Sequence, residues 1–220
     1  MSISAEMADI EPSMDSIRDD VIPAAHRPAR AANPFSLPNL LTFGRIAAIP
    51  LIVVLLYSAS GPARWIGFAL FIVASVTDFF DGFLARAWQQ QSLLGRMLDP
   101  IADKLLVAAV LLMLVADGTI SGLSLFAALI ILTREILVSG LREFLAEVRV
   151  GLPVSALSKW KTVIQMVALG FLLTGPAGPE LHPMAVAVGL ALLWIAALVT
   201  LYTGYDYFRT GSKHLIGEGS

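Results

Sequence analysis

The sequence predicts an all-α integral membrane protein, with six transmembrane helices and both termini in the cytoplasm. Three observations carry that expectation. The 220-residue chain is 57% hydrophobic and only 15% charged, whereas a soluble domain is about 45–50% apolar and about 25% charged. Its apolar residues gather into six segments, each near the ~20 residues that a helix needs to cross ~30 Å of hydrocarbon. Of its 15 Lys and Arg residues, eleven fall toward one side of those segments and one toward the other. This composition excludes an ordinary soluble enzyme. The absence of cysteine excludes disulfides and thiolate metal sites, so any metal must be held by oxygen or imidazole.

The elements follow in order. Residues 1–32 read as a flexible cytoplasmic tail, acidic and then basic and Pro/Ala-rich, without the apolar core of a signal peptide. Residues 33–210 form the membrane domain and 211–220 a short C-terminal tail. Residues 35–39 read as a short interfacial segment that leads into the first span. The six spans are 37–58, 65–84, 99–116, 123–144, 155–174 and 184–208. Helices are expected over strands, because a span must satisfy its own backbone hydrogen bonds within the bilayer. The third segment is the weakest, since its uninterrupted apolar run covers only 105–115. It reaches a span's length only if the turn carrying Asp99 and Asp103 continues the same helix into a wet cavity.

Orientation follows from the cations. Of the 15, only Arg64 falls in the three loops of one side (59–64, 117–122 and 175–183), eleven lie in the tails, the opposite loops or the span ends that adjoin them, and Arg45, Lys104 and Arg134 lie within segments. The positive-inside rule therefore puts both termini and the loops 85–98 and 145–154 in the cytoplasm. Asp78, Asp81, Asp99 and Asp103 then all sit at cytoplasmic helix ends.

These four aspartates occupy the stretch DFFDGFLARAWQQQSLLGRMLDPIADK. Asp78 and Asp81 are three apart and Asp99 and Asp103 four apart, so each pair shares one helix face. Four bare anions at a membrane edge would repel one another, and a charge in hydrocarbon costs several kcal/mol. A structural network with Arg86, Arg96 and Lys104 would compensate them. So would divalent cations: hard oxygen ligands select Mg²⁺, Mn²⁺ or Ca²⁺, and paired ions suit phosphoryl chemistry. Small residues among the acids (Gly82, Ala85 and Gly95) would let a phosphate-bearing ligand approach the backbone.

At every fixed position this stretch resembles the signature of the CDP-alcohol phosphotransferase family: Asp78, Asp81, Gly82, Ala85, Arg86, Gly95, Asp99 and Asp103. The likeness covers about residues 35–209. The stretches LPNLLT followed by Arg45, REILVSGLRE from Arg134, and SKWKT from Ser158 are most similar to the branch that uses sn-glycerol 3-phosphate. The resemblance implies six helices around a polar cavity open to the cytoplasm, in a homodimer in the bacterial inner membrane. It implies a metal-dependent transferase that joins a CDP-linked lipid, CDP-diacylglycerol, to an alcohol and releases CMP. Carried onto this chain, Asp78, Asp81, Asp99 and Asp103 would hold two Mg²⁺ or Mn²⁺ ions, with Asp103 as general base. Gly82 and Arg86 would belong to the nucleotide end, with Asn39, Thr42 and Arg45 lining the same cavity.

The acceptor would be a dianion and needs a cationic pocket of its own. Arg134 lies mid-segment, where an arginine requires an interior partner or a wet cavity. Arg142, Lys159 and Lys161 approach from the cytoplasmic side. Guanidinium gives bidentate phosphate contacts and ammonium a point charge. The rival for Arg134 is an internal pair with Glu135 or Glu143; for the other three it is simple positive-inside topology. These cations favour a phosphorylated acceptor over serine, but leave inositol phosphate and phosphatidylglycerol as sibling acceptors. Among other classes, a divalent-cation transporter would spread acids through the bilayer depth, whereas here they cluster at one end. A non-catalytic scaffold would leave Asp103 dispensable. No nucleic-acid partner is expected.

Overall fold

The computed structural model describes residues 37–58, 60–88, 93–147, 156–175 and 182–215. Six helices occupy them: α1 (Leu37–Tyr57), α2 (Gly61–Trp88), α3 (Leu93–Ala116), α4 (Ser124–Glu147), α5 (Ala156–Thr174) and α6 (His182–Leu215). The tail 1–32, the loop 148–155 and residues 216–220 lie outside the described residues. So do the side chains at 79–94 and 96, which include Asp81, Gly82 and Arg86, although the helix α2 runs through the first part of that stretch.

All six expected segments are helical, and the third resolves in favour of continuity. Helix α3 begins at Leu93 and carries Asp99 and Asp103 without a break, with Pro100 inside it. A proline there removes one backbone donor, and the helix continues regardless into the apolar run 105–115. Among the described residues, three helices are long and apolar enough to cross a membrane, over 39–57, 124–146 and 183–209, in α1, α4 and α6. Helices α3 and α5 devote positions to polar side chains instead: Asp99, Asp103 and Lys104 on one, Lys159, Lys161 and Gln165 on the other.

Helix α1 packs on α2 and α3, and α6 packs on α4 and α5; α2–α5, α3–α4 and α3–α5 contacts join these two groups. The shared core includes Phe71, Leu106, Val110, Ile131, Leu169 and Leu193. The outer surface is also apolar: Val54, Leu112 and Leu198 are more than 60% exposed. Exposed aliphatics of that extent on several helices mark a surface made for lipid. Helices α5 and α6 approach closely: a Cβ on Gly189 would sit 2.7 Å from Leu172 Cγ.

One end of the bundle is tied by Arg64, which is buried at the start of α2. It donates to the carbonyl of Leu173 on α5 (3.1 Å) and forms an ion pair with Asp117 just beyond α3. Asp117 Oδ1 also accepts from the Thr119 amide (2.9 Å), which sets the turn into α4. Gly118 adopts φ 79° there, a left-handed conformation that a side chain would oppose. The functional residues gather at the other end.

Candidate active site

The site is built from the N-terminal halves of α1 and α3, the start and middle of α5, the C-terminal parts of α2 and α6, and the middle of α4. On α1, Asn39, Thr42 and Arg45 recur at three-residue spacing and are all buried. Thr42 Oγ1 donates to Asp99 Oδ1 on α3, and Arg45 Nη1 donates to Asp78 Oδ1 on α2. A single turn of α1 thus holds one carboxylate from each helix of the acidic motif. Such bonds to ionised oxygens are charge-assisted and exceed neutral ones in strength. Arg45 also lies within electrostatic reach of Asp103.

Asp103 opens on a second, narrower space. It lines a cleft with Lys104, Glu135, Thr162, Gln165 and Met166, whose volume of about 10 Å³ is on the scale of one water molecule. Lys161, only 3% exposed, donates to Glu135 Oε1. Arg134 Nη1 stands 3.7 Å from the same oxygen, and its Nη2 donates to Thr203 Oγ1 on α6 at 2.9 Å. The guanidinium lies 5.9 Å from the Tyr207 ring centroid, within cation–π range. Tyr207 in turn accepts from Ser158 Oγ at 3.2 Å. Gly204 admits the arginine stem, since a Cβ there would sit 3.1 Å from Arg134 Cγ.

Two acids, Asp103 and Glu135, share this cleft with Lys104, and two further cations, Lys161 and Arg134, approach Glu135 from outside its lining. The Lys104 ammonium donates to the Pro100 carbonyl (3.1 Å). The excess of positive charge in a confined region suits an anionic ligand. Of the four cations expected around the acceptor, Arg134 and Lys161 come together here. Arg142, which lies within electrostatic reach of Arg134, is exposed, as is Lys159.

Several members escaped the sequence reading. Glu135 entered it only as a rival partner for Arg134, yet it receives Lys161 from the next helix. Tyr207 and Thr203 come from α6, which that reading left without chemistry. Gln165 is the most telling: its Oε1 is buried with no hydrogen-bond partner among the described residues. Its signal was present, because it follows Lys161 by four residues and so shares a helix face in an otherwise apolar segment.

The donors suit a hard divalent ion: Asp78, Asp99 and Asp103 offer carboxylate oxygens, and the chain has no thiol to select a softer metal. Thr42 and Arg45 engage the Oδ1 atoms of Asp99 and Asp78. Among the described residues no three acidic or imidazole groups ring a single point; the fourth acid, Asp81, has its side chain outside the description.

This geometry agrees with the sequence comparisons. The profile of CDP-alcohol phosphatidyltransferase matches residues 35–202, which takes in all but the far end of α6. The chain belongs to the CDP-alcohol phosphatidyltransferase family. It is a transferase. The chain is 50% identical over 179 residues to the CDP-diacylglycerol–glycerol-3-phosphate 3-phosphatidyltransferase of Rickettsia bellii (strain RML369-C), a match covering 81% of this chain and 97% of that protein. Proteins of the same name from Cereibacter sphaeroides (39% over 218 residues) and Shigella flexneri (40% over 189 residues) each match 84% of this chain and 99% of their own length.

Proposed function

We propose that this transferase moves the phosphatidyl group of CDP-diacylglycerol to sn-glycerol 3-phosphate, giving phosphatidylglycerophosphate and CMP in phospholipid synthesis. The acceptor is what its relatives' names state. The observation in this chain that carries the reading is the buried Arg134–Glu135–Lys161 cluster beside Asp103, an excess of cations next to a carboxylate. Inositol phosphate would present similar charge; serine and phosphatidylglycerol would make poorer use of the cluster.

In this proposal the six helices all cross the bacterial inner membrane, both termini are cytoplasmic, the site faces the cytoplasm and the enzyme is a homodimer. The one-sided distribution of Lys and Arg and the apolar outer surface support that arrangement. Asn39, Thr42, Arg45, Gly82 and Arg86 receive the nucleotide and diphosphate, and Arg134 and Lys161, with Arg142 and Lys159 beyond them, receive the acceptor phosphate. Asp103 takes the proton of the 1-hydroxyl as its oxygen attacks the lipid-bearing phosphorus, and the bond from that phosphorus to CMP breaks. A carboxylate held against an alcohol supplies general-base assistance of this kind. Asp78, Asp81, Asp99 and Asp103 would hold two Mg²⁺ or Mn²⁺ ions, whose charge would offset that of the diphosphate and of departing CMP.

The test is CMP release by the purified protein from CDP-diacylglycerol, with Mg²⁺ or Mn²⁺ and a panel of labelled acceptors. Glycerol 3-phosphate is expected to support turnover. Release only with inositol phosphate would replace the acceptor, and no release with any acceptor would overturn the enzymatic reading.

A further inference from the structure

A groove of about 570 Å³ runs between α4 and α6, outside the acidic motif. Leu129, Leu137 and Leu141 form one wall, and Leu201, Tyr205 and Phe208 the other. Twelve residue steps of α4 separate Leu129 from Leu141, about 18 Å at ~1.5 Å per residue. That is a little over half of the ~30 Å hydrocarbon thickness, so the trough matches the depth of one leaflet. Leu137, Tyr205 and Phe208 are each more than 60% exposed. The groove therefore opens sideways along two helices that are apolar enough to cross a membrane.

Charge along this groove has one sign. Arg134 is the only charged side chain among its described lining residues. Its Nε is buried with no hydrogen-bond partner among the described residues. Toward the C-terminal mouth, Arg142 follows Val138 by four residues and Arg209 follows Tyr205 by four, and Val138 and Tyr205 both line the groove. Side chains three or four apart share a helix face, so both arginines, each exposed, continue the walls. The exposed acids at that end, Glu143 and Asp206, stand three or four residues from no lining residue. Glu143 instead accepts from Ser139 Oγ (3.4 Å), which lies outside the lining. Apolar walls with cations in the wall and at the mouth, and acids on other faces, fit an anionic amphiphile.

We propose that the α4–α6 groove is a second lipid site, apart from the reaction centre, that binds an anionic phospholipid of the adjoining leaflet. One acyl chain fills the trough, and the headgroup phosphate rests at Arg142 and Arg209, whose guanidinium groups suit bidentate phosphate contacts. This rests on the membrane arrangement above and not on the choice of acceptor. Arg142 stands where the mouth of the groove meets the outer approach to the acceptor cluster, since it lies within electrostatic reach of Arg134.

The experiment places the full-length protein in phosphatidylcholine nanodiscs that hold a phosphatidylglycerol with a photoreactive diazirine on one acyl chain. Adducts are located by peptide mass spectrometry and are expected at Leu141 and Phe208. Unlabelled phosphatidylglycerol is expected to displace the probe on the order of tenfold better than phosphatidylcholine, because basic side chains favour an anionic headgroup. The double variant Arg142→Gln/Arg209→Gln is expected to lose that preference. Leu137→Trp and Leu201→Trp, at exposed wall positions, are expected to abolish the groove adducts, and Val54→Trp on the exposed face of α1 to keep them. Adducts spread evenly over the exposed faces of α1 and α4, or equal displacement by the two lipids, would overturn the proposal. A groove without adducts, together with a shift of oligomeric state in Leu137→Trp, would assign it to a second copy of the chain and would also overturn the proposal. No adducts anywhere on the protein would overturn the membrane arrangement and this inference with it.

Discussion

Replacing Lys161 with methionine isolates the charge at the centre of the cluster. Methionine keeps the length and apolar stem of lysine and removes only the ammonium. The side chains of Lys161 and Glu135 are 4% and 14% exposed, so the change leaves a carboxylate largely out of water and beside Asp103. Removing one partner of a buried pair costs about 3–5 kcal/mol. Arg134 Nη1, 3.7 Å from the same Glu135 oxygen, remains as partial compensation and brings the expected cost to ~2 kcal/mol. For a chain of this size that corresponds to about 4–8 °C in the unfolding midpoint. Glu135→Gln in the Lys161→Met background removes the stranded anion and is expected to recover at least half of that loss, which makes the pair strongly non-additive. Activity behaves differently: the double variant is expected to stay impaired, with a raised KM for glycerol 3-phosphate, because the phosphate has lost its ammonium. Thermal unfolding in detergent and acceptor titrations read the two effects separately. Strictly additive single-variant effects on stability would refute the pairing argument. Restored acceptor affinity in the double variant would refute the placement of Lys161 at the phosphate.

Other perturbations probe different parts of the fold. Gln165→Leu replaces the buried amide, whose oxygen has no partner among the described residues, and is expected to raise the acceptor KM about fivefold, the ~1 kcal/mol of one hydrogen bond, with little change for the CDP-lipid; a change confined to the CDP-lipid would contradict this. Arg64→Leu strands Asp117 at the far end of the bundle, where the acid's side chain is 24% exposed, and should destabilise by ~2 kcal/mol while the folded fraction keeps its specific activity. Gly189→Val pushes a side chain into Leu172, 2.7 Å from the new Cβ, and should cost about 1–3 kcal/mol by overpacking; an unchanged melting temperature would show that α5 and α6 are not held in that contact.

Much of this arrangement was legible in the residues. Run length and flanking charge located all six helices, because apolar periods of about 20 residues have few other uses. Even the doubtful third helix could be posed correctly as a condition on Asp99 and Asp103, which α3 then satisfies. The acids declared themselves through spacing, and Thr42 and Arg45 through the motif that precedes them. The partners of the second cluster were not legible in the same way. Lys161 meets Glu135, and Arg134 meets Thr203 and Tyr207, only because α4, α5 and α6 pack together, and no local pattern states which helices are neighbours. For the same reason Arg64 read as a single cation in an outer loop, whereas it binds α2 to α5 and to Asp117. A buried polar residue in a lipid-facing helix needs a partner, and that rule identifies Gln165 as unusual without naming what it meets.

The most direct test of the account is the product that wild type and Asp103→Asn make from CDP-diacylglycerol and glycerol 3-phosphate, followed by mass spectrometry alongside CDP-lipid binding. Wild type is expected to form phosphatidylglycerophosphate and CMP in equal amounts, and Asp103→Asn to form neither while still binding the CDP-lipid. Phosphatidylglycerophosphate formed by Asp103→Asn at the wild-type rate would contradict the assignment of the base at the centre of the site.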